Sequence, residues 1–197
     1  MSRKAKMIPA FSATGVLPPF FGDPASAHRS PYAAGIHEVV RRFATSARRC
    51  DILRGWLQHR ADLHALGFVD GFQWVDGSFC ERLDTREPND VDLVTFFVKP
   101  MHADLKALLA NHRYLFDPTL TKSRYLCDVY FQELQELHGR RFADPRRVSY
   151  WYSLFSHRRD DFAWKGILEV SLAATHDPDA MNLLTAAPPP LPLPVAP

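Results

Sequence analysis

The run VDLVTFFV, from Val91 to Val98, is eight residues long and almost continuously apolar. Strands that alternate apolar and polar residues leave one face to water; this one does not. A short run of this kind fits a strand covered on both faces, which demands a layered fold with helices or a second sheet on either side. Directly ahead of it stands PND, so a charged, proline-marked turn leads straight into the most buried segment of the chain.

Flanking segments supply the cover. Ile36, Val39, Val40 and Phe43 recur at helical spacing and predict a helix over 35–43. A longer helix starts at the cap residue Ser46, carries Ile52, Leu53, Trp56, Leu57, Leu63 and Leu66, and stops at Gly67. Phe68 to Val75 reads as a strand bounded by Asp76-Gly77, and Asp104 to Leu115 as a helix with one leucine stripe. Ser123 to Phe131, Val148 to Phe155 and Lys165 to Leu172 suit further strands. The order predicts an α/β (α+β) fold, a mixed β-sheet flanked by helices with extra strands toward the C-terminus. Residues 1–31, rich in Pro, Gly, Ser and Ala, read as an extended N-terminal arm and residues 32–176 as the domain. Residues 177–197, ending PPPLPLPVAP, read as an extended, flexible Ala/Pro-rich tail whose Pro189-x-x-Pro192 offers a docking motif.

Composition narrows the class. Of 197 residues, 46% are hydrophobic, enough for a sizeable core. With 24 basic and 22 acidic side chains the formal charge is +2, which does not call for a nucleic-acid or membrane partner. The basic doublets, Arg48-Arg49 and Arg158-Arg159 among them, read as solvated faces. Cys50, Cys80 and Cys127 form no CxxC and no disulfide pattern, so a reducing, cytoplasmic setting is expected. The basic start lacks an apolar h-region, so no signal peptide is expected. No segment approaches the roughly 20 apolar residues that span a bilayer.

The chemistry-bearing residues cluster around the apolar run. Two acid-x-acid pairs occur, Asp90-Val-Asp92 and Asp177-Pro-Asp179, and about two are expected by chance from 22 acids, so context has to decide. Asp177 and Asp179 sit in a polar stretch with nothing to hold them rigid. Asp90 and Asp92 project from one face of a stiff strand while Val91 points into packing. Neighbouring carboxylates in partial burial either share a proton or hold a cation. Their surroundings favour the cation, and Mg²⁺ takes a few carboxylate oxygens while leaving positions for water and phosphate. Upstream, Gly77-Ser78 lies at a strand-to-turn junction suited to phosphate oxygens. Downstream, Asp128 stands inside the apolar stretch Tyr125 to Phe131, unfavourable unless paired or bound to metal. Competing structural readings are Ser78 as a helix cap and Asp128 paired with Arg124. Such a set suits metal-assisted phosphoryl or nucleotidyl transfer.

These residues resemble the DNA polymerase beta-like nucleotidyltransferase superfamily, whose signature is Gly-Ser, a spacer, Asp-x-Asp and a third Asp on a later strand. Here that becomes Gly77-Ser78, eleven residues, Asp90-Val91-Asp92, then Asp128. More narrowly, IPAF, GVLPPF, GFQWVDGSF, PNDVDLVTFF, WYSLFSHRR and KGILEV resemble uncharacterised bacterial nucleotidyltransferase-like proteins. The resemblance implies Asp90, Asp92 and Asp128 as catalytic acids and metal ligands for Mg²⁺ (or Mn²⁺), and Gly77 and Ser78 as contacts to an NTP substrate. The chain departs from the pattern after Gly-Ser, where Phe79-Cys80-Glu81-Arg82 stands. A second function class is an inactive nucleotidyltransferase fold serving as a nucleotide- or protein-binding module.

Other constellations carry less. No G-x-S-x-G elbow and no H-E-x-x-H occurs, which argues against a covalent hydrolase and a zinc site. Tyr150-Trp151-Tyr152 reads as packing before base stacking. Lys122, Arg124 and Lys165 read as surface cations within reach of phosphates. A nucleic-acid acceptor stays open, though net charge does not indicate it.

Overall fold

The computed structural model describes residues 8–101, 104–138 and 140–186. In chain order these form strand β1 (Tyr32–Ala34), helices α1 (Ile36–Phe43) and α2 (Ala47–Ala65), and strands β2 (Gly71–Asp76) and β3 (Val91–Val98). Helices α3 (Leu105–Asn111), α4 (Arg113–Phe116) and α5 (Pro118–Tyr125) follow, then strands β4 (Cys127–Leu137) and β5 (Arg140–Phe142). Helix α6 (Pro145–Phe155), strand β6 (Leu168–Ser171) and helix α7 (Asp177–Ala186) complete them. A single-turn helix, Ser78–Cys80, follows β2.

The six strands make one mixed sheet in the order β1-β6-β2-β3-β4-β5. The β1–β6 and β3–β4 pairs are parallel, and the β6–β2, β2–β3 and β4–β5 pairs antiparallel. As its composition requires, β3 lies near the middle and is covered on both faces. Val91, Leu93 and Phe97 face a large core shared with Val39, Ile52, Trp56 and Leu184. Val94 and Phe96 face a smaller one with Trp74, Trp151, Phe155 and Ile167. Helices α1, α2 and α7 thus cover one face, and α6 the other.

The α1, α2 and β3 expectations agree with the structure to within two residues, and the Ser46 hydroxyl does cap α2, accepting from the Arg49 N–H. Three others are corrected. Val148 to Phe155 is not a strand but most of α6: Asp144 caps the first turn, Pro145 takes the first helical position, and Trp151 and Phe155, four apart, bury one face. Ser123 to Phe131 is split. Helix α5 runs on to Tyr125, Leu126 turns it with a left-handed φ of 57°, and only then does β4 begin. Residues 177–186, expected as part of an extended tail, form α7 instead, with Ala180 and Leu184 buried. The rest of that tail, with its Pro189-x-x-Pro192, lies outside the described residues. Residues 8–31 contain no helix, as expected of an arm, yet Val16 and Leu17 are buried and the Gly166 N–H donates to the Leu17 carbonyl.

Asp177 is also not free. The fully buried Arg60 of α2 donates to both its carboxylate oxygens at 2.6 and 3.0 Å, to Gln73 Oε1 at 2.9 Å and to the Ser171 carbonyl at 3.0 Å. A buried guanidinium needs that full set of acceptors, and meeting it ties α7 to the sheet. No helix among the described residues is long and apolar enough to cross a membrane.

Candidate active site

The acids converge because of register. Asp92 on β3 stands opposite Asp128 on the parallel strand β4, and opposite Asp76 on the antiparallel strand β2. Registered partners point to the same side of a sheet, so three carboxylates form a row across three neighbouring strands. Asp90, two residues before Asp92, extends the group. The row lies on the α6 side of the sheet, beyond the end of the smaller core. There a polar cavity of about 250 Å³ opens, floored by Asp76, Asp90, Asp92 and Asp128. Gly77 and Ser78 line one side; Arg86, Lys122 and Arg159 bring positive charge to its rim, and His157 lines it as well.

The turn after β2 is built for close approach. Gly77 has φ +82°, and a Cβ placed there would fall 2.0 Å from Asp92 Oδ2. Both its backbone and its missing side chain are required. Gly77 holds the cap position of the single-turn helix and Ser78 is its first helical residue, so the reading of Ser78 as a cap fails. Gly77→Ala is expected to cost about 1–3 kcal/mol of stability through the left-handed backbone alone. It should also push the Asp92 carboxylate out of the row. Denaturant unfolding measures the first effect, and a change in the pH dependence of that stability, to which Asp92 contributes, measures the second.

Arginines from the first turn of α2 hold both loops of the site. Buried Arg49 donates to the Phe79 carbonyl at 2.6 Å and the Glu81 carbonyl at 2.7 Å, fixing the turn after Gly77. Arg48 donates to the carbonyls of Pro88 and Asn89, fixing the approach to Asp90. This doublet is not a solvated face; it is the brace of the site. Gly55 lets α2 and α5 meet, since a Cβ there would fall 2.0 Å from the Tyr125 carbonyl oxygen. Helix α5 thereby presents Lys122 to the acids.

Lys122 is no ordinary surface cation. Its Nζ is 2.6 Å from Asp90 Oδ2 and 3.6 Å from Asp128 Oδ2. Arg124, the partner of Asp128 in the competing structural reading, instead stacks on the rings of Tyr114 and Tyr125 at 4.7 and 5.3 Å. Lys165 is buried, with Nζ 3.0 Å from Asp76 Oδ2, 2.9 Å from Glu81 Oε1 and 3.4 Å from the Gly77 carbonyl. Burial pushes its pKa down, but Asp76 and Glu81 more than offset this, and the ammonium is held above its usual range.

The electrostatics show strain. Burial pushes the Asp76 carboxyl up to about 7, more than Lys165 and the Gly77 N–H pull it down. Asp92 is pushed up to about 6 by burial and then by Asp90 and Asp128, with Arg159 and Lys165 offsetting only part. Asp76 Oδ1 and Asp128 Oδ1 are buried with no hydrogen-bond partner. Among the described residues no three His, Cys, Asp or Glu side chains have closed into a ready metal cluster. The donor set nevertheless fits a hard cation: all oxygen, several like charges and two orphaned carboxylate oxygens in a polar cavity. The three cysteines are free and buried, and burial raises the Cys80 and Cys127 thiols well above their ordinary range, which leaves them inert.

Sequence reasoning found Gly77, Ser78, Asp90, Asp92 and Asp128, and the structure brings all five to one cavity. It missed Asp76, Glu81 and Lys165. A charge inside the apolar segment WKGILEV was the available signal for Lys165. Asp76 was read as turn punctuation. Trp151 and Tyr152 serve packing as expected, Trp151 meeting Tyr130 and Tyr152 meeting Trp74, whereas Tyr150 is exposed.

The class defined so far is a mixed α/β protein with a row of acids at the floor of a polar cavity. Residues 9–171 match a family of unknown function, DUF6932, and the chain belongs to that family. No curated protein and no solved structure matches the chain.

Proposed function

We propose that this protein is a Mg²⁺- or Mn²⁺-dependent nucleotidyltransferase that moves a nucleoside monophosphate from an NTP to a hydroxyl acceptor, a protein, RNA or small molecule. The observation that carries this reading is the register Asp92–Asp128, with Asp90 two residues ahead and Gly77-Ser78 beside it, all facing one cavity. Asp90, Asp92 and Asp128 would hold the cation, which when bound would neutralise triphosphate charge and orient the reacting phosphate. The chain's own residues do the rest. Gly77 lets backbone approach the phosphates closely, and the Ser78 hydroxyl offers a donor. Arg86 and Arg159 balance anionic charge at the rim. A carboxylate of the row accepts the proton of the attacking hydroxyl, and the phosphate–pyrophosphate bond breaks as the new ester forms. Three free, buried cysteines support a reducing compartment, the cytoplasm.

One observation favours the second reading, an inactive nucleotidyltransferase fold that binds nucleotide or protein: the Lys122 ammonium already sits between Asp90 and Asp128. The two separate on incubation with labelled NTPs and Mg²⁺ or Mn²⁺. The enzyme predicts metal-dependent transfer or pyrophosphate release in the native protein, absent from Asp90→Ala/Asp92→Ala. Nucleotide binding that never turns over, in native protein and variant alike, would leave the binding module.

A further inference from the structure

The cavity floor carries four carboxylates, and the cations near them are unequally free. Lys165 is committed to Asp76 and Glu81 at 3.0 and 2.9 Å, with a side chain only 5% exposed. Lys122 differs. Its side chain is 51% exposed, while Asp90 and Asp128, which it bridges, are 13% and 18% exposed. It projects from the last turn of α5 on a flexible four-carbon stem, so it can leave the acids for solvent without disturbing the helix. The orphaned Oδ1 atoms of Asp76, itself 3% exposed, and Asp128 show that the floor still holds unpartnered carboxylate oxygens with Lys122 in place.

We propose that Lys122 is the specificity-determining counter-ion of this site, closing the Asp90–Asp128 gap to free divalent cations and releasing it when the cation arrives with a polyphosphate. The inference rests on the reading of these acids as metal ligands. A bare dication competing for Asp90 and Asp128 must break a 2.6 Å ion pair and repel the ammonium beside it. A dication carried by a polyphosphate brings phosphate oxygens to the same rim, where Arg86 and Arg159 already stand. The displaced ammonium then exchanges one anionic partner for another. Metal and polyphosphate affinity are therefore coupled through a single side chain, and the coupling is reciprocal.

The test measures binding to the full chain, without turnover. Mn²⁺ alone, and inorganic tripolyphosphate in the presence of Mg²⁺, are titrated by calorimetry into native protein, Lys122→Met and Lys122→Arg. Lys122→Met is expected to bind Mn²⁺ about tenfold more tightly, within the usual range of coupled sites, and Mg²⁺–tripolyphosphate more weakly by a similar factor. Lys122→Arg, which keeps the charge, should stay close to native for Mn²⁺. Effects of opposite sign are what a merely structural lysine would not give. Equal Mn²⁺ affinity in native protein and Lys122→Met, or a shift of both ligands in one direction, overturns the role of Lys122 alone. Absence of Mn²⁺ binding in every folded variant overturns the metal reading of the acids, and this inference with it. Circular dichroism verifies folding, and Lys122→Gln replaces the Met variant if that fails to fold.

Discussion

On the proposed function, Asp92→Asn is expected to lower nucleotidyl transfer by about a hundredfold or more, the usual cost of removing a charge aimed at the reacting groups, while making the protein more stable. The two effects have one cause. Asp92 is largely buried beside Asp90 and Asp128, and burial with that repulsion pushes its carboxyl up to about 6. A carboxyl whose folded pKa exceeds its unfolded value binds more protons in the native state between the two. Its stabilising contribution is full below the unfolded value and is lost as pH rises through about 6. At neutral pH the ionised native carboxylate therefore costs about 1–3 kcal/mol, which the amide removes. Guanidinium unfolding at pH 4, 5, 6 and 7 reads this as a widening gap between variant and native protein. A gap that is flat with pH, or a variant less stable at pH 7, would show that the Asp92 carboxyl is not raised in the native state.

Lys165→Met is expected to lose about 3–5 kcal/mol at pH 8, because removing one partner of a buried ion pair leaves uncompensated charge. Here two carboxylates are left, Asp76 and Glu81, whose side chains are 5% and 4% exposed. Methionine fills the volume, so the loss reports charge rather than a cavity. The native Asp76 carboxyl is already raised to about 7, and without the ammonium it rises further. The loss should therefore shrink as pH falls and Asp76 takes up a proton. Unfolding by urea at pH 5 and pH 8 measures both values. Equal losses at the two pH values, or a loss under about 1 kcal/mol where an ordinary surface pair would fall, would contradict the buried triad. The Gly77 carbonyl also accepts from Lys165 at 3.4 Å, so the variant should loosen the turn that Ser78 opens.

The places where sequence reading succeeded and failed have local causes. Val91–Val98 was legible because burial on both faces leaves no alternative to an apolar strand. Helix α6 was misread because WYSLF carries aromatic β-propensity, whereas Asp144-Pro145 is a helix start. The same pair opens α5 at Asp117-Pro118 and α7 at Asp177-Pro178. At Asp23-Pro24 it makes only a turn, with the Ser26 N–H donating to the Asp23 carbonyl. What separates these cases is the apolar face that follows: Ala180 and Leu184 in α7 pack into the core, and no such stripe follows Pro24. Arg49 and Lys165 were taken for surface charge because a one-dimensional pattern does not distinguish a solvated cation from one ringed by acceptors. Both are buried, and both hold the turn at Gly77.

By itself, the order of residues determined the layered α/β class and the boundaries of β3, and it singled out Gly77, Ser78, Asp90, Asp92 and Asp128 as candidates, since alternation and local turn chemistry act over a few neighbours. Only the tertiary structure decided that Asp76 joins the row, that Lys122 bridges two of its members and that Lys165 lies beneath it. Those relations come from strand register and from the seating of α5 on α2 at Gly55. Each joins residues far apart in the chain, and the physical cause is pairing across a sheet, which leaves no short-range trace, and burial of charge, whose trace at Lys165 is only a lone cation in an apolar stretch.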